Sequence, residues 1–266
     1  MPQLSAVFYA GGKSGNKPAG RFVAAHIPYD RVYVEPFAGM LGVLLQRRPS
    51  HIEIANDLDG NITNWWQVVR DKPRELAEWM RFTPNSRRAF YDFKKLLPYE
   101  TDAVSRAGMT SYLLSCSFMG VGDTYGTPLR LHSGQPWKGL QERLMRLADR
   151  MRYVALENMD ALEMLERLVD ERDAVIYCDP PYPGTSLPGL GNRALEPVDY
   201  EAMCQLLSRS KARVAVSGLA DSAYELPGFE RLEVSMMDSL SHGSSRPSRR
   251  RECLWTNYPT VNTLFN

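Results

Sequence analysis

The sequence predicts an α/β protein: an open, doubly wound, mostly parallel sheet carrying an inserted, mainly helical domain. Three observations predict this. Short apolar, β-branched segments alternate with helical stretches, the pattern of a parallel sheet covered on both faces. The first of them ends in an acidic residue and runs into a small-residue turn, at the end of a strand where open sheets carry ligands. About 80 residues separate the second strand from the third, too many for one crossover connection.

Taken in order, the strands are Arg31–Glu35, His51–Asp57, Tyr153–Glu157, Ala174–Asp179, Arg213–Gly218, Arg231–Met237 and Glu252–Tyr258. Helical stretches between them include Asn61–Arg70, Asp160–Val169 and Val198–Ser210. Residues 71–152 are charged and mostly helical, with a glycine-rich piece at Gly120–Gly126 that fits a hairpin entering a groove or an ordinary surface turn equally well. The division expected is one domain from residues 1–70 and 153–266, and an inserted one from residues 71–152. Ser239–Arg251 is polar and basic and is expected to be a loop before the last strand.

Composition narrows the function classes. The chain has 266 residues, 44% hydrophobic and 24% charged, as in a globular protein. Its net charge of +1 excludes a general polycation, so any nucleic-acid role rests on local patches. The four cysteines stand far apart with no CxxC pair, which argues against a disulfide framework or a zinc site. No secretory pattern opens the chain, and no apolar run approaches the roughly 20 residues that cross a bilayer. A soluble, cytoplasmic protein is expected.

Val34–Leu45 reads as a strand end, a turn and an apolar helix, in which Gly39 and Gly42 let the backbone approach a ligand closely. The spacing is not GxGxxG, which disfavours a dinucleotide. Asp57 stands at the end of the second strand, where a carboxylate can accept hydrogen bonds from both hydroxyls of a ribose. Asp59 suits the N-cap of the following helix. Asp179-Pro180-Pro181-Tyr182 follows the apolar strand that holds Cys178. Two prolines fix the backbone and remove two N–H donors, leaving carbonyl acceptors. Asp179 and the Pro180 carbonyl can accept from an amino group while Tyr182 stacks on a flat ring. Gly12-Lys13-Ser14 is not a phosphate-binding loop, because Val7 stands where the full pattern needs glycine. Cys178 reads as a small buried residue rather than a nucleophile.

These motifs resemble the D12 class of N6-adenine-specific DNA methyltransferases. The resemblance is carried by Tyr9-Ala10-Gly11-Gly12-Lys13, Val34-Glu35-Pro36-Phe37-Ala38-Gly39, Asn56-Asp57-Leu58-Asp59 and Asp179-Pro180-Pro181-Tyr182. Glu157-Asn158-Met159-Asp160 and Arg251–Tyr258 fit more weakly. The resemblance implies a Rossmann-like S-adenosylmethionine-dependent methyltransferase fold. Tyr9, Lys13, Glu35, Phe37, Gly39 and Asp57 would form the cofactor site, Lys13 near the methionine end and Asp57 on the ribose. Asn158 or Asp160 would reach the cofactor's adenine. Asp179, Pro180, Pro181 and Tyr182 would be catalytic, with Asp179 also bordering the cofactor, and residues 71–152 would be the target recognition domain. The sequence departs from the family's commoner FxGxG, because its second glycine is displaced to Gly42.

The implied reaction moves a methyl group to the N6 of an adenine flipped out of duplex DNA, and requires no metal. Arg81–Lys95 holds five basic residues (Arg81, Arg87, Arg88, Lys94, Lys95) against one acid, Asp92. The stretch Ser239–Arg251 adds Arg246, Arg249, Arg250 and Arg251 with no acid. At least one of these patches is expected to touch phosphates; Tyr125 is a further DNA-binding candidate. RNA or protein-amide methylation on the same fold, and a non-catalytic DNA-binding relic, are the competing readings. Restriction partnership with a cognate endonuclease, replication marking and phage self-protection all fit.

Overall fold

The computed structural model describes residues 4–7, 13, 18–117, 120–126, 137–182, 198–220, 224–239 and 248–260. Tyr9, Gly11, Gly12 and Arg246 lie outside the described residues.

Seven strands form one sheet in the order β3-β2-β1-β4-β5-β7-β6. They are β1 (Val32–Glu35), β2 (Ile52–Asn56), β3 (Val154–Glu157), β4 (Ala174–Cys178), β5 (Arg213–Leu219), β6 (Glu230–Ser239) and β7 (Ser248–Thr256). β1 to β5 pair in parallel. β7 runs antiparallel between β5 and β6. The chain winds from β1 outward through β2 to β3, then returns to place β4 and β5 on the other side of β1. The strand order therefore reverses between β1 and β4, and the crevice of a doubly wound sheet opens there, beyond the carboxyl ends of the strands. This topology is the methyltransferase-type Rossmann-like fold expected from the motifs.

The helices are α1 (Pro18–His26), α2 (Gly60–Asp71), α3 (Pro73–Arg81), α4 (Arg87–Leu96), α5 (Ala103–Cys116), α6 (Lys138–Gln141), α7 (Leu144–Met151), α8 (Ala161–Leu168) and α9 (Tyr200–Ser208). Each strand of the centre is buried on both faces, so its residues divide alternately between two cores. Tyr33, Val175, Tyr177 and Ala215 join Trp65 and Trp66 of α2 on one side. Val32, Val34, Ile176, Cys178, Val214 and Val216 join α8 and α9 on the other. The Cys178 thiol is sealed in that second core, and burial pushes its pKa up, as befits a packing residue.

The apolar residues of 71–152 run into the first core: Leu76, Met80, Phe90, Tyr112, Leu113, Leu144 and Leu147 belong to the same cluster as Trp65. Caps set the helix starts there. Ser86 accepts from Ala89 N–H and Asp102 accepts from Ser105 N–H. α5 packs closely because Gly108 has no side chain; a Cβ there would come within 2.3 Å of the Trp79 ring. Arg150 on α7 grips Glu53 of β2 with two hydrogen bonds of 2.5 and 2.8 Å and also donates to the Leu44 carbonyl. That bidentate pair ties α7 to the sheet just before β3.

The last strand differs from expectation at its start. β7 begins at Ser248, so Arg249, Arg250 and Arg251 are strand residues rather than loop, and Asn257 and Tyr258 follow the strand. Residues 248–250 pair with β6, while the Arg251 carbonyl also accepts from Ala220 N–H just beyond β5. A two-stranded arm of this kind is held by its backbone ladder, so a polar sequence does not oppose it.

Candidate functional site

The carboxyl ends of β1 and β4 present two loops to one crevice. The first is the turn after Glu35. Gly39 takes φ 47°, its N–H donates to Asp57 Oδ2 at 2.8 Å, and its carbonyl accepts from Trp66 Nε1 at 2.9 Å. The displaced glycine has a structural counterpart. The position that FxGxG gives to glycine is Leu41, and its backbone still adopts φ 51°. A left-handed leucine costs about 1–2 kcal/mol, and full burial of its side chain, about 1.5–3 kcal/mol, offsets that.

Asp57 sits at the end of β2, half-buried. One oxygen accepts from Gly39 N–H and the other from Asp59 N–H. Burial raises its pKa to about 6 against the pull of those two bonds. Each oxygen keeps lone-pair capacity beyond its backbone bond. Asp59 caps α2 by accepting from Asn61 N–H at 2.9 Å. Phe37, partly buried, packs against the second core beside the turn.

Glu35 is 2% exposed and faces inward. Its Oε1 accepts from the Tyr33 hydroxyl and from Leu44 N–H, both at 2.7 Å. Burial raises its pKa to about 8. These bonds make Glu35 a strut that ties the turn's two ends together. Asn158 donates to the carbonyls of Asp57 and Leu58, and Asp160 caps α8 through Leu162 and Glu163 N–H.

The second loop carries Asp179, Pro180, Pro181 and Tyr182. Lys13, only 4% exposed, points its ammonium into this loop. Nζ lies 2.9 and 3.1 Å from the two Asp179 oxygens, 2.9 Å from the Tyr182 hydroxyl and 2.5 Å from Glu252 Oε1. The Tyr182 hydroxyl in turn donates to Glu252 Oε1 at 2.9 Å. Burial works against the Lys13 charge, yet Asp179 and its other neighbours hold the pKa well above the ordinary lysine value. Burial raises the Tyr182 pKa, with Lys13 pulling the other way. Beneath the loop, Tyr177 on β4 pairs its hydroxyl with Ser217 on β5 at 2.8 Å. Pro180 is buried, and the exposed Pro181 offers its carbonyl to the Tyr200 hydroxyl of α9.

The sequence model of the D12 class N6 adenine-specific DNA methyltransferase family matches residues 9–217, most of the chain. The chain belongs to this family. The chain is 25% identical over 169 residues to two proteins named DNA adenine methylase, from two strains of Vibrio cholerae serotype O1. The match covers 60% of this chain and 59% of theirs. Among solved structures, a conserved hypothetical protein of Streptococcus pyogenes superposes over 87% of this chain and 89% of its own, with 10% identity and a TM-score of 0.35.

For this D12-class chain, two contributors to the site lie in segments that resemble the family but received no role from the sequence. Glu252 is the foremost. An acid within the apolar run Cys253-Leu254-Trp255 was the available signal, since a charge there must find a buried partner. Asn56, fully buried, donates to the Pro36 and Met159 carbonyls and accepts from Met159 N–H, stapling together the turns after β1, β2 and β3.

The basic candidates are spread along two elements. On α4, Arg87, Arg88 and Lys95 are exposed, Arg88 with its side chain 92% accessible and 3.6 Å from Asp92. Lys94 is partly buried and bonded to Asp123 of the 120–126 loop. Tyr125 lies under that loop, 9% exposed, with its hydroxyl on Asn85 and its ring against Phe90 and the Arg87 guanidinium. The loop is pinned by a bridge between Ser117 and Tyr125. Arg251 pairs with Glu233 at 3.0 Å.

Proposed function

We propose that this chain transfers a methyl group from S-adenosylmethionine to the N6 amino group of adenine in double-stranded DNA. The observation that carries the reading is Asp179-Pro180-Pro181-Tyr182 at the carboxyl end of β4, across the strand-order reversal from the Gly39 turn. Membership of the D12 class supports the same substrate.

The residues around the first loop fit the cofactor. Asp57 is half-buried, with lone pairs left for two ribose hydroxyls. Phe37 supplies an apolar face. The Gly39 backbone is held open by Asp57 and Trp66. When bound, S-adenosylmethionine supplies an electrophilic methyl group on a positively charged sulfur. The chain's own residues do the rest. Asp179 and the Pro180 carbonyl accept the two N–H groups of the target amine and turn its lone pair toward the methyl carbon. Tyr182 stacks on the flipped base, worth about 1–3 kcal/mol against the few that flipping costs. The donor would supply the methyl group with its C–S bond as the bond broken, which would leave the amine nitrogen positively charged. The amine then gives up one proton, which the partly exposed Asp179 can take and pass to water.

Residues 71–152 act as the target recognition region in this reading, and Arg87, Arg88 and Lys95 on α4 contact phosphates. Arg251 would have to exchange Glu233 for a phosphate to contribute. A cytoplasmic location follows from the substrate.

The test is incubation with methyl-labelled S-adenosylmethionine and mixed-sequence duplex DNA, followed by nucleoside mass spectrometry. Labelled N6-methyladenine is expected. Label in RNA or protein and none in DNA would move the activity to another substrate. Cofactor binding without transfer to any of the three would make the chain a binding relic.

A further inference from the structure

Glu252 lies in β7, where it pairs with Leu219 of β5 and Ser235 of β6, and its side chain is 1% exposed. Arg251–Tyr258 resembles the family, and that resemblance assigns this carboxylate no role. Its Oε1 receives both the Tyr182 hydroxyl and the Lys13 ammonium. An ammonium has three protons. Lys13 donates to Asp179 and to Tyr182 and forms an ion pair with Glu252, so two carboxylates share one cation. The contact with Glu252 is the shorter, 2.5 Å against 2.9 Å for Asp179. Glu252 is sealed by the sheet, whereas the Asp179 side chain is 17% exposed and faces the crevice. Lys13 is thus anchored from behind by one acid and presented to the other.

We propose that Glu252 is a positioning residue for methyl transfer: it fixes the Tyr182 hydroxyl and takes a share of the Lys13 charge, so that Asp179 keeps acceptor strength for the target amine. This rests on the adenine-methyltransferase reading. A carboxylate that fully neutralises an ammonium is a poorer acceptor for an incoming N–H, and a poorer stabiliser of the positive charge that grows on the nitrogen as its N–C bond forms. With Glu252 in place, Lys13 is divided between two acids. With a neutral group in its place, Lys13 falls wholly to Asp179. Tyr182 depends on the same residue, since its ring is held at the hydroxyl end by Lys13 and Glu252 together.

The discriminating variant is Glu252→Gln, which keeps an acceptor for Tyr182 and removes only the charge. At saturating cofactor and DNA its kcat is expected to fall at least tenfold, with the dissociation constants for both ligands within threefold of wild type. The Lys13 ammonium resonance, followed in lysine labelled at Nζ with no ligand present, is expected to move. Glu252→Asp, one methylene shorter but charged, should recover part of the lost kcat. It also stands in if the Gln variant does not fold. A kcat within twofold of wild type in Glu252→Gln, an unmoved Lys13 resonance, or equal damage in the Asp and Gln variants would overturn the proposal. A wild-type protein that forms no N6-methyladenine refutes the function itself and is seen before any variant is compared.

Discussion

Lys13→Met offers the sharpest test of the buried charge cluster. The methionine matches the lysine stem in length but carries no charge, so packing is nearly conserved while Asp179 and Glu252 lose the ammonium that lies 2.9 and 2.5 Å from them. Removing one partner of a buried ion pair costs about 3–5 kcal/mol, because the other is left charged and desolvated. At about 2–4 °C per kcal/mol for a chain of this size, the unfolding midpoint should fall by roughly 10 °C. The double variant gives the argument its sign. In wild type, Glu252→Gln removes a favourable partner of Lys13 and should cost about 1–2 kcal/mol. In the Lys13→Met background it removes a stranded charge and should return stability instead. Urea unfolding of the four proteins at pH 7 measures the cycle. A Lys13→Met loss below about 1 kcal/mol, or a Glu252→Gln cost equal in both backgrounds, would refute the shared-cation arrangement.

Other outcomes follow from the same contacts. Tyr182→Phe keeps the stacking face but loses a bond from Lys13 and a bond to Glu252; about 1.5 kcal/mol of lost orientation predicts a kcat roughly tenfold down, with Tyr182→Ala lower still, and a Phe variant at wild-type kcat would leave the hydroxyl without a role. Burial raises the Glu35 pKa to about 8, so the folded state holds a proton that the unfolded chain releases from about pH 4.5 upward, and stability should decline as pH rises from that point through about 8. Glu35→Gln should flatten that decline and unfold at higher urea than wild type at pH 8.5; parallel stability curves for the two proteins would show that Glu35 titrates normally. Replacing both Arg88 and Lys95 with alanine should lower the slope of log affinity against log salt by about 1.8 if each meets a phosphate, as read from fluorescence anisotropy of a labelled duplex; an unchanged slope would remove this face of α4 from the interface.

Much of this architecture was legible in the sequence. All seven strands were, because apolar β-branched runs such as Ala174–Cys178 have no comfortable alternative to a sheet buried on both faces. The Asp59 cap and the place of Asp179–Tyr182 after β4 followed from local chemistry. What escaped was set by contacts between distant parts of the chain. Lys13 carries an N-terminal motif that pointed toward the cofactor, while its ammonium is bonded to Asp179, Tyr182 and Glu252. The extra strand length at Ser248–Arg251 is imposed by pairing with β6, which no side-chain pattern announces. Leu41 keeps a glycine-like φ because burial of its side chain offsets the strain, so the displaced glycine changed the residue and kept the turn. Tyr125 belongs to a polar, glycine-rich piece that suggested exposure, yet Phe90 and Asn85 draw it inward.

The most direct test of the central claim, that the loop after β4 carries out methyl transfer to adenine, compares wild type with Asp179→Ala in two assays: labelled-methyl transfer to duplex DNA, and calorimetric binding of S-adenosylmethionine. The account predicts N6-methyladenine from wild type, none from the variant, and cofactor affinity within a few-fold in both. An Asp179→Ala protein that still methylates adenine would contradict it.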